Sequence, residues 1–289
     1  DPIYRTQTGQ IRHKGIELEA RTALDNGLSL IGSYTYLDAQ ITRSNDGDQG
    51  NTPALVPEHQ AALWLDYDIG KAHPGSALAG LTLGGGCEFQ MHADATVAHA
   101  EALIGVPETG VGLLPGWGGC TRLLVRAYES GPDVSAHAMA ERAFATVMPG
   151  RISASTAEAV AKGLLRPTDG IVMQRDMLIA TAKDRALALA QGYTPPAPCM
   201  LPVAGAAGKA QLLEQSAADF AAGRISAVDL DLATTIATVL TGGTAEAGDR
   251  LSEADFMRLE REAVAELIAR PTTRARINHM LTTGKRLAN

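Results

Sequence analysis

The sequence has no excess of positive charge and no long apolar run. Its 289 residues carry 25 lysines and arginines against 32 aspartates and glutamates, a formal net charge of −7 at pH 7. A net negative chain is a poor general partner for nucleic acid or for an anionic membrane surface. A transmembrane helix needs about 18 or more consecutive apolar residues, and no such run occurs. We therefore expect neither nucleic-acid binding nor a membrane-spanning helix.

Cysteine is also scarce. The three cysteines, Cys87, Cys120 and Cys199, show no paired spacing, and their odd count suits a reducing compartment. Two histidines, His92 and His99, lie on either side of Asp94, but no third ligand repeats a metal-site spacing. The sequence therefore predicts no metal site.

A glycine-rich turn that leads into a helical pattern is the first informative motif. An apolar run at residues 77–83 feeds three consecutive glycines, and Cys87 and Glu88 follow directly. Glycine lets the backbone approach a ligand closely, and the first turn of the next helix offers free N–H groups and the positive end of its dipole. Such turns occur in many α/β proteins, so this motif alone is weak evidence for a site.

A second carboxylate lies 20 residues later in a turn of its own. Glu108 follows Pro107 in the segment IGVPE, and the segment LLPGWGGCTRL occupies residues 113–123. With the glycine-rich turn before them, these motifs in this order resemble the crotonase superfamily, specifically the enoyl-CoA hydratases. The alternative, that both glutamates are solvated surface charges, does not explain why the motifs occur together.

The resemblance implies a role for each carboxylate. In that family the residue matching Glu88 acts as the base toward water, and the residue matching Glu108 donates a proton to the α-carbon of a trans-2-enoyl-CoA thioester. Burial beside apolar neighbours would bring both pKa values toward neutrality. A related class of isomerases needs mainly the second carboxylate, so the presence of both favours hydration.

The resemblance also implies backbone and substrate contacts. The N–H group of Gly85 matches an oxyanion-hole donor, which stabilises the charge that develops on the thioester oxygen. Because the family's chemistry needs no covalent intermediate, Cys87 is interpreted as a small buried packing residue rather than a nucleophile. The expected substrate-binding positions are Gly84, Gly86, Pro115 and Gly116.

The segment that precedes the glycine-rich turn is short for a crotonase. Only 83 residues come before Gly84, whereas the resemblance implies a longer segment that carries a second oxyanion donor and much of the coenzyme A contact. We therefore expect a hydratase activity that is impaired by truncation.

The C-terminal part has helical patterns at residues 210–223, 226–240 and 252–268, with Ser226 and Ser252 as N-caps and Pro271 as a stop. This end resembles the C-terminus of long bacterial 3-hydroxyacyl-CoA dehydrogenases whose hydratase-like domain comes last. No Gly-x-Gly-x-x-Gly fingerprint occurs, so no NAD site is expected. The resemblance thus implies a coenzyme A thioester as substrate and no cofactor.

The first seventy residues have the pattern of antiparallel β-strands. Apolar and polar residues alternate over residues 15–36 around an Asn26-Gly27 hairpin signal, and a third strand is predicted at residues 61–68. Any half-buried sheet shows this alternation. Three blocks within residues 4–69, however, resemble part of the barrel of TonB-dependent siderophore receptors. Because a sheet of so few strands cannot close into a barrel, its edge strands would stay unpaired, and membrane insertion is not expected.

We therefore predict a chimeric chain with a junction near residues 70–75. The expected parts are a receptor-like β-strand fragment (1–70), a crotonase-like core (71–200) and a helical C-terminal region (201–289). The expected fold is α/β and crotonase-like, a ββα superhelix truncated at its N-terminus, followed by a mainly helical region and preceded by an antiparallel β-hairpin segment.

Three functions stay open at this point. The first is an enoyl-CoA hydratase-type lyase of fatty-acid β-oxidation that acts on an acyl-CoA in the cytoplasm. The second is a fragment of an outer-membrane TonB-dependent siderophore receptor, which membrane insertion would reveal. The third is a non-catalytic chimeric fragment, which cooperative melting would argue against. Self-association into a homo-oligomer also stays open.

Overall fold

The computed structural model describes residues 10–23, 28–44, 49–52, 59–67, 76–78, 80–131 and 133–289. The chain divides into two compact units, Asp1–Ala72 and His73–Asn289. The predicted turn at Asn26-Gly27 and the predicted junction at residues 70–75 lie outside the described residues. Within the described ranges, no helix combines the length and the apolar composition that a bilayer crossing requires.

The first unit contains a three-stranded antiparallel sheet. Its strands follow one another in space as they do in sequence: β1 (Gln10–Ala23), β2 (Leu28–Arg43) and β3 (His59–Tyr67). The register places Tyr36 of β2 opposite Ile16 of β1 and His59 of β3. The predicted hairpin strands are therefore present, and the third strand occurs within two residues of its predicted position.

Short parallel strands form the α/β part of the second unit. They are β4 (Ser76–Leu78), β5 (Leu81–Leu83), β6 (Thr96–His99), β7 (Leu103–Gly105) and β8 (Gly170–Val172), with α1 (Gly85–Met91) between β5 and β6. β4, β6 and β8 form one parallel sheet, and β5 pairs with β7 in another. The first four strands thus alternate between two sheets, which agrees with repeated ββ units. The ββα superhelix itself stays a prediction.

The pairing of β5 with β7 brings the two sequence motifs together. Leu83 lies opposite Gly105 at the ends of these parallel strands, and the N–H group of Gly84 donates to the carbonyl of Gly105 at 2.9 Å. The glycine-rich turn follows β5, and the turn that carries Glu108 follows β7. Because parallel strands end at the same edge of a sheet, both turns lie at one edge.

Helices follow over the rest of the α/β part: α2 (Gly119–Glu129), α3 (Ala136–Val147), α4 (Thr156–Ala161) and α5 (Leu178–Ala190). The hydroxyl of Ser155 caps α4 by accepting from the N–H of Glu158. The Glu158 carboxylate, however, accepts from the N–H of Ala154 instead of Ser155. The first half of a capping box therefore forms here, and its second half is displaced by one residue.

The C-terminal region is mainly helical, as predicted. It contains α6 (Gly205–Ala221), α7 (Ala227–Leu240), α8 (Glu253–Ala269) and α9 (Pro271–Thr283), and one antiparallel strand pair, β9 (Met200–Pro202) with β10 (Arg250–Ser252). Ser226 and Ser252 cap α7 and α8 in full capping boxes with Asp229 and Asp255. Pro271 was expected only to stop a helix. It also starts α9, because its fixed φ and missing N–H suit the first position of a helix.

Apolar side chains from both the α/β part and the C-terminal helices form one buried core. Its largest fully buried members include Met91, Leu124, Ile236 and Phe256. The C-terminal helices are therefore part of the same packed unit as the strands that carry the two motifs.

We expect Phe256→Ala to lower the free energy of unfolding of the second unit by about 3–5 kcal/mol, because it removes a ring that is 1% exposed and leaves a cavity. The matched control is Ile268→Ala on the same helix, where the side chain is 45% exposed and the cost should stay within about 0.5 kcal/mol. Denaturant unfolding followed by helical circular dichroism measures both. Equal losses would contradict the assignment of this core.

Candidate active site

The carboxylate of Glu88 binds backbone N–H groups at the start of α2. The residue lies one turn into α1 and is only 1% exposed. Its Oε1 atom accepts from the N–H of Trp117 at 2.7 Å and from the N–H of Gly119, the first residue of α2, at 3.0 Å. Burial raises the pKa of Glu88, and these two N–H donors oppose the rise.

Glu108 begins the 3₁₀ turn that follows β7. Among the described residues, its Oε2 atom is buried and has no hydrogen-bond partner. Burial, with a smaller contribution from the negative charge of Glu88, raises the pKa of Glu108 from 4.5 to about 7. The carboxyl group is therefore placed to exchange a proton near neutral pH.

Two glycines, Gly84 and Gly119, leave space for the two carboxylates beside the backbone. A Cβ atom at Gly84, whose φ is +54°, would lie 2.9 Å from Oε1 of Glu108. A Cβ atom at Gly119 would lie 2.8 Å from Oε1 of Glu88 and 2.5 Å from Cβ of Pro115. Any larger residue would displace the carboxylates, so the glycines shape the site directly.

The other predicted site residues lie at the start of α1 and just before α2. Gly85 and Gly86 open α1 and are exposed, and Pro115 is buried. A Cβ atom at Gly116 would lie 2.2 Å from Cγ2 of Val264 in α8, so Gly116 has a packing function that the sequence did not reveal. The substrate-binding roles of Gly84, Gly86, Pro115 and Gly116, and the oxyanion role of Gly85, stay predictions.

A third buried carboxylate was missed in the sequence. Glu260 of α8 is fully buried, and it accepts from the N–H of Gly118 at 2.8 Å, from the N–H of Thr121 and from the hydroxyl of Thr121 at 2.6 Å. Burial raises its pKa to about 7, against these hydrogen bonds. One signal could have found it, because Glu260 lies at helical spacing between Phe256 and Leu267 on the buried face of α8.

His92, His99 and Asp94 each contact another residue, and Cys87 is buried. His92 contacts the carbonyl of Trp117 at 3.2 Å, His99 contacts the carbonyl of Met173 at 3.1 Å, and Asp94 accepts from the hydroxyl of Tyr193 at 2.6 Å. Where residues are described, no three potential ligands are grouped around a common point; the absence of a metal stays a prediction. Cys87 is fully buried, and burial raises its pKa to about 12, as its interpretation as a packing residue requires.

A cavity of about 830 Å³ lies away from the two glutamates. It is bordered by α2, α3, α4 and the turn after α4, and its basic side chains include Arg126, Arg142 and Arg166. Neither Glu88 nor Glu108 lines it. The size of the cavity therefore says nothing about the candidate site.

Comparison with known proteins separates the two parts of the chain. A protein named probable 3-hydroxyacyl-CoA dehydrogenase from Bacillus subtilis is 36% identical over 211 residues, which is 73% of this chain and 26% of that protein. Residues 1–100 match the family model of the TonB dependent receptor-like β-barrel. The ferrichrome outer membrane transporter/phage receptor of Escherichia coli is 45% identical over 87 residues, which is 30% of this chain and 11% of that protein.

Crotonase-like relatives match most of the chain. Its N-terminal part resembles a receptor barrel, so both predicted resemblances are confirmed. Among solved structures, an enoyl-CoA hydratase/isomerase from Pseudoalteromonas atlantica matches 73% of this chain and 61% of its own, with 17% identity and a TM-score of 0.41. A carnitinyl-CoA hydratase from Mycobacterium avium matches 72% of this chain and 59% of its own, with 20% identity and a TM-score of 0.39. The chain spans about a quarter of the dehydrogenase and about a tenth of the receptor.

The raised pKa of Glu108 predicts a pH-dependent gain in stability for Glu108→Gln. A carboxyl group whose folded pKa of about 7 exceeds its ordinary 4.5 favours the folded state below pH 4.5 and loses that contribution as the pH rises through 7. The variant should therefore match the parent at pH 4 and exceed its free energy of unfolding by about 2–3 kcal/mol at pH 8. Denaturant unfolding at both pH values measures this. An equal difference at pH 4 and pH 8 would contradict the raised pKa.

Proposed function

We propose that the second unit adds water across the double bond of a trans-2-enoyl-CoA thioester, the hydratase reaction of fatty-acid β-oxidation. The observation that carries the proposal is a pair of carboxylates at one sheet edge, Glu88 buried and Glu108 half-buried. Glu88 is held by two N–H donors, and Glu108 has a pKa of about 7 and a buried oxygen that finds no partner among the described residues. The similarity to a 3-hydroxyacyl-CoA dehydrogenase supports an acyl-CoA substrate.

Glu88 acts as the base in this proposal. Hydrogen bonds from N–H donors favour the ionised carboxylate, and the positive end of the α2 dipole adds to them. Both bonds end on Oε1, so Oε2 is the atom assigned to the water proton. Burial keeps the pKa high enough for the carboxylate to accept that proton.

Glu108 supplies the proton to the α-carbon. With a pKa of about 7, a substantial fraction of the group is protonated near neutral pH. The hydroxyl of water bonds to the β-carbon, and its remaining proton goes to Glu88. The proton of Glu108 goes to the α-carbon, so Glu88 gains one proton and Glu108 loses one. Exchange with solvent returns both groups to their starting states.

The start of α1 is assigned to the thioester oxygen. The N–H groups of the first helical turn have no partner inside the helix, and α1 begins at Gly85. A donor of this kind contributes roughly 10²–10³ in rate. In the proposal Gly84, Gly86, Pro115 and Gly116 line the path of the acyl thioester, since they flank the two carboxylates.

We expect Glu88→Gln and Glu108→Gln each to lower kcat for crotonyl-CoA hydration by roughly 10²–10⁴, the usual contribution of a general acid or base. Gln keeps the shape of the side chain and cannot exchange the proton. The loss of enoyl-thioester absorbance measures the rate. The matched control is Glu262→Gln, an exposed glutamate on α8 that pairs with Arg258, which should leave kcat unchanged. Activity that survives both substitutions would remove the assignment.

The same roles predict the pH profile of kcat/KM. Glu108 must be protonated, and its pKa is about 7, so kcat/KM should fall tenfold per pH unit above that value. Glu88 must be ionised, so kcat/KM should also fall on the acid side. Initial rates between pH 5 and pH 9 test this. A rate that keeps rising above pH 8 would contradict the role of Glu108.

A second candidate function concerns the first unit. Its three strands lie within residues 1–100, which match the receptor family model, so this unit is proposed to represent part of a siderophore receptor. If the chain shows no hydration of crotonyl-CoA at all, the hydratase proposal fails. The receptor-fragment and non-catalytic interpretations then remain.

A further inference from the structure

Two carboxylates share the amide groups at the start of α2. Glu88 takes the N–H groups of Trp117 and Gly119, and Glu260 takes those of Gly118 and Thr121. The donors of one short segment therefore alternate between a carboxylate from α1 and a carboxylate from α8.

The segment has few other means of holding its conformation. Gly116, Gly118 and Gly119 have no side chains, and the Trp117 side chain is 80% exposed. Gly118 has a φ of +96°. Glycine adopts this left-handed conformation at little cost, but it adopts other conformations as readily, so glycine alone does not fix the backbone here. Its order must therefore come from its backbone hydrogen bonds and from the packing of Gly116 on Val264.

Glu260 is suited to holding this segment because, within the described part of the chain, it only accepts hydrogen bonds. Two N–H groups and one hydroxyl donate to it, and among the described residues no Lys or Arg lies within ion-pair distance of it. An ionised carboxylate at a helix N-terminus satisfies donors that otherwise have no partner. A glutamine would present an NH₂ group to one of them.

We propose that Glu260 is a positioning residue: by fixing the amides of Gly118 and Thr121, it holds the amides of Trp117 and Gly119 in the geometry that binds Glu88. The catalytic consequence rests on the proposed hydratase function. The positioning itself is a property of the folded chain. Through Glu260 and these amides, the C-terminal helical region influences Glu88, the base of the proposed reaction.

The charges of the two groups are also coupled. The negative charge of Glu88 contributes to the raised pKa of Glu260, and coupling between two charges is reciprocal. The other titratable groups around the segment are His92, which contacts the carbonyl of Trp117 at 3.2 Å, Glu108, the fully buried Cys120, and the Arg122–Glu253 pair at 2.7 Å. Loss of the Glu260 charge alone would lower the pKa of Glu88, whereas loosening of its Trp117 and Gly119 donors would raise it.

The decisive variant is Glu260→Gln, with Glu253→Gln as its matched control. Glu253 also joins α8 to α2, through Arg122, but it does not touch the amides of residues 117–121. Misplacement of a reacting group by a small distance costs up to roughly 100-fold, so we expect kcat to fall about 10- to 100-fold in Glu260→Gln with a small change in KM. The acid limb of kcat/KM should shift, to lower pH where the lost charge dominates and to higher pH where the loosened N–H donors dominate. Glu253→Gln should change neither quantity.

Hydrogen exchange tests the positioning without any need for activity. Amides 117, 118, 119 and 121 should exchange at least about tenfold faster in Glu260→Gln, because their acceptors are disturbed, and at the parental rate in Glu253→Gln. A parent that shows no turnover would end the hydratase proposal and leave this measurement to decide the positioning. Equal exchange in the two variants, or equal kcat and pH profiles, would overturn the inference.

Thr121→Val covers the case in which Glu260→Gln does not fold. This substitution removes one donor to Glu260, the hydroxyl, and keeps the volume of the buried side chain. It should accelerate the same amides and lower kcat in the same direction by a smaller factor. Parental exchange and parental kcat in a folded Thr121→Val would likewise overturn the inference.

Discussion

The amide groups at the start of α2 are the feature on which the candidate site depends. They bind Glu88 from α1 and Glu260 from α8, so three helices that are distant in sequence meet at one short segment. A buried carboxylate without donors would cost several kcal/mol. The N–H groups and the helix dipole offset this cost, and they allow two negative charges to lie in a region with little water.

The buried Glu88 and Glu260 and the half-buried Glu108 show how burial and hydrogen bonding compete. Glu260 has three donors, yet its pKa rises to about 7, because it is fully buried. Glu108 reaches the same value, with a buried oxygen that has no partner in the part of the chain that the structure describes. Glu88 is raised as well, against two donors. The raised pKa of Glu108 therefore costs stability near neutral pH, and the same raised pKa makes proton transfer feasible at this residue.

The sequence reveals the parts of the site that are local. Glycines before Glu88 and the proline before Glu108 mark turns at strand ends, and Ser226 and Ser252 mark helix starts, because each of these effects acts within a few residues. Glu260 could not be assigned in this way. Its partners, Gly118 and Thr121, are about 140 residues earlier in the chain, and only tertiary packing brings them together. The packing of Gly116 on Val264 was hidden for the same reason.

The two resemblances overlap, and hydrogen bonding decides how the shared residues fold. The receptor model matches residues 1–100, whereas the compact units divide between Ala72 and His73. Residues 76–78 and 96–99 pair in parallel with each other, and residues 97–99 pair with residues 170–172. A parallel pair requires a crossover connection, unlike the antiparallel strands of residues 10–67, so residues 76–99 follow a different architecture from the first unit. The glycine-rich turn at residues 84–86 therefore belongs structurally with Glu108 and α2, and the receptor-like match beyond Ala72 describes sequence that is folded as part of the second unit.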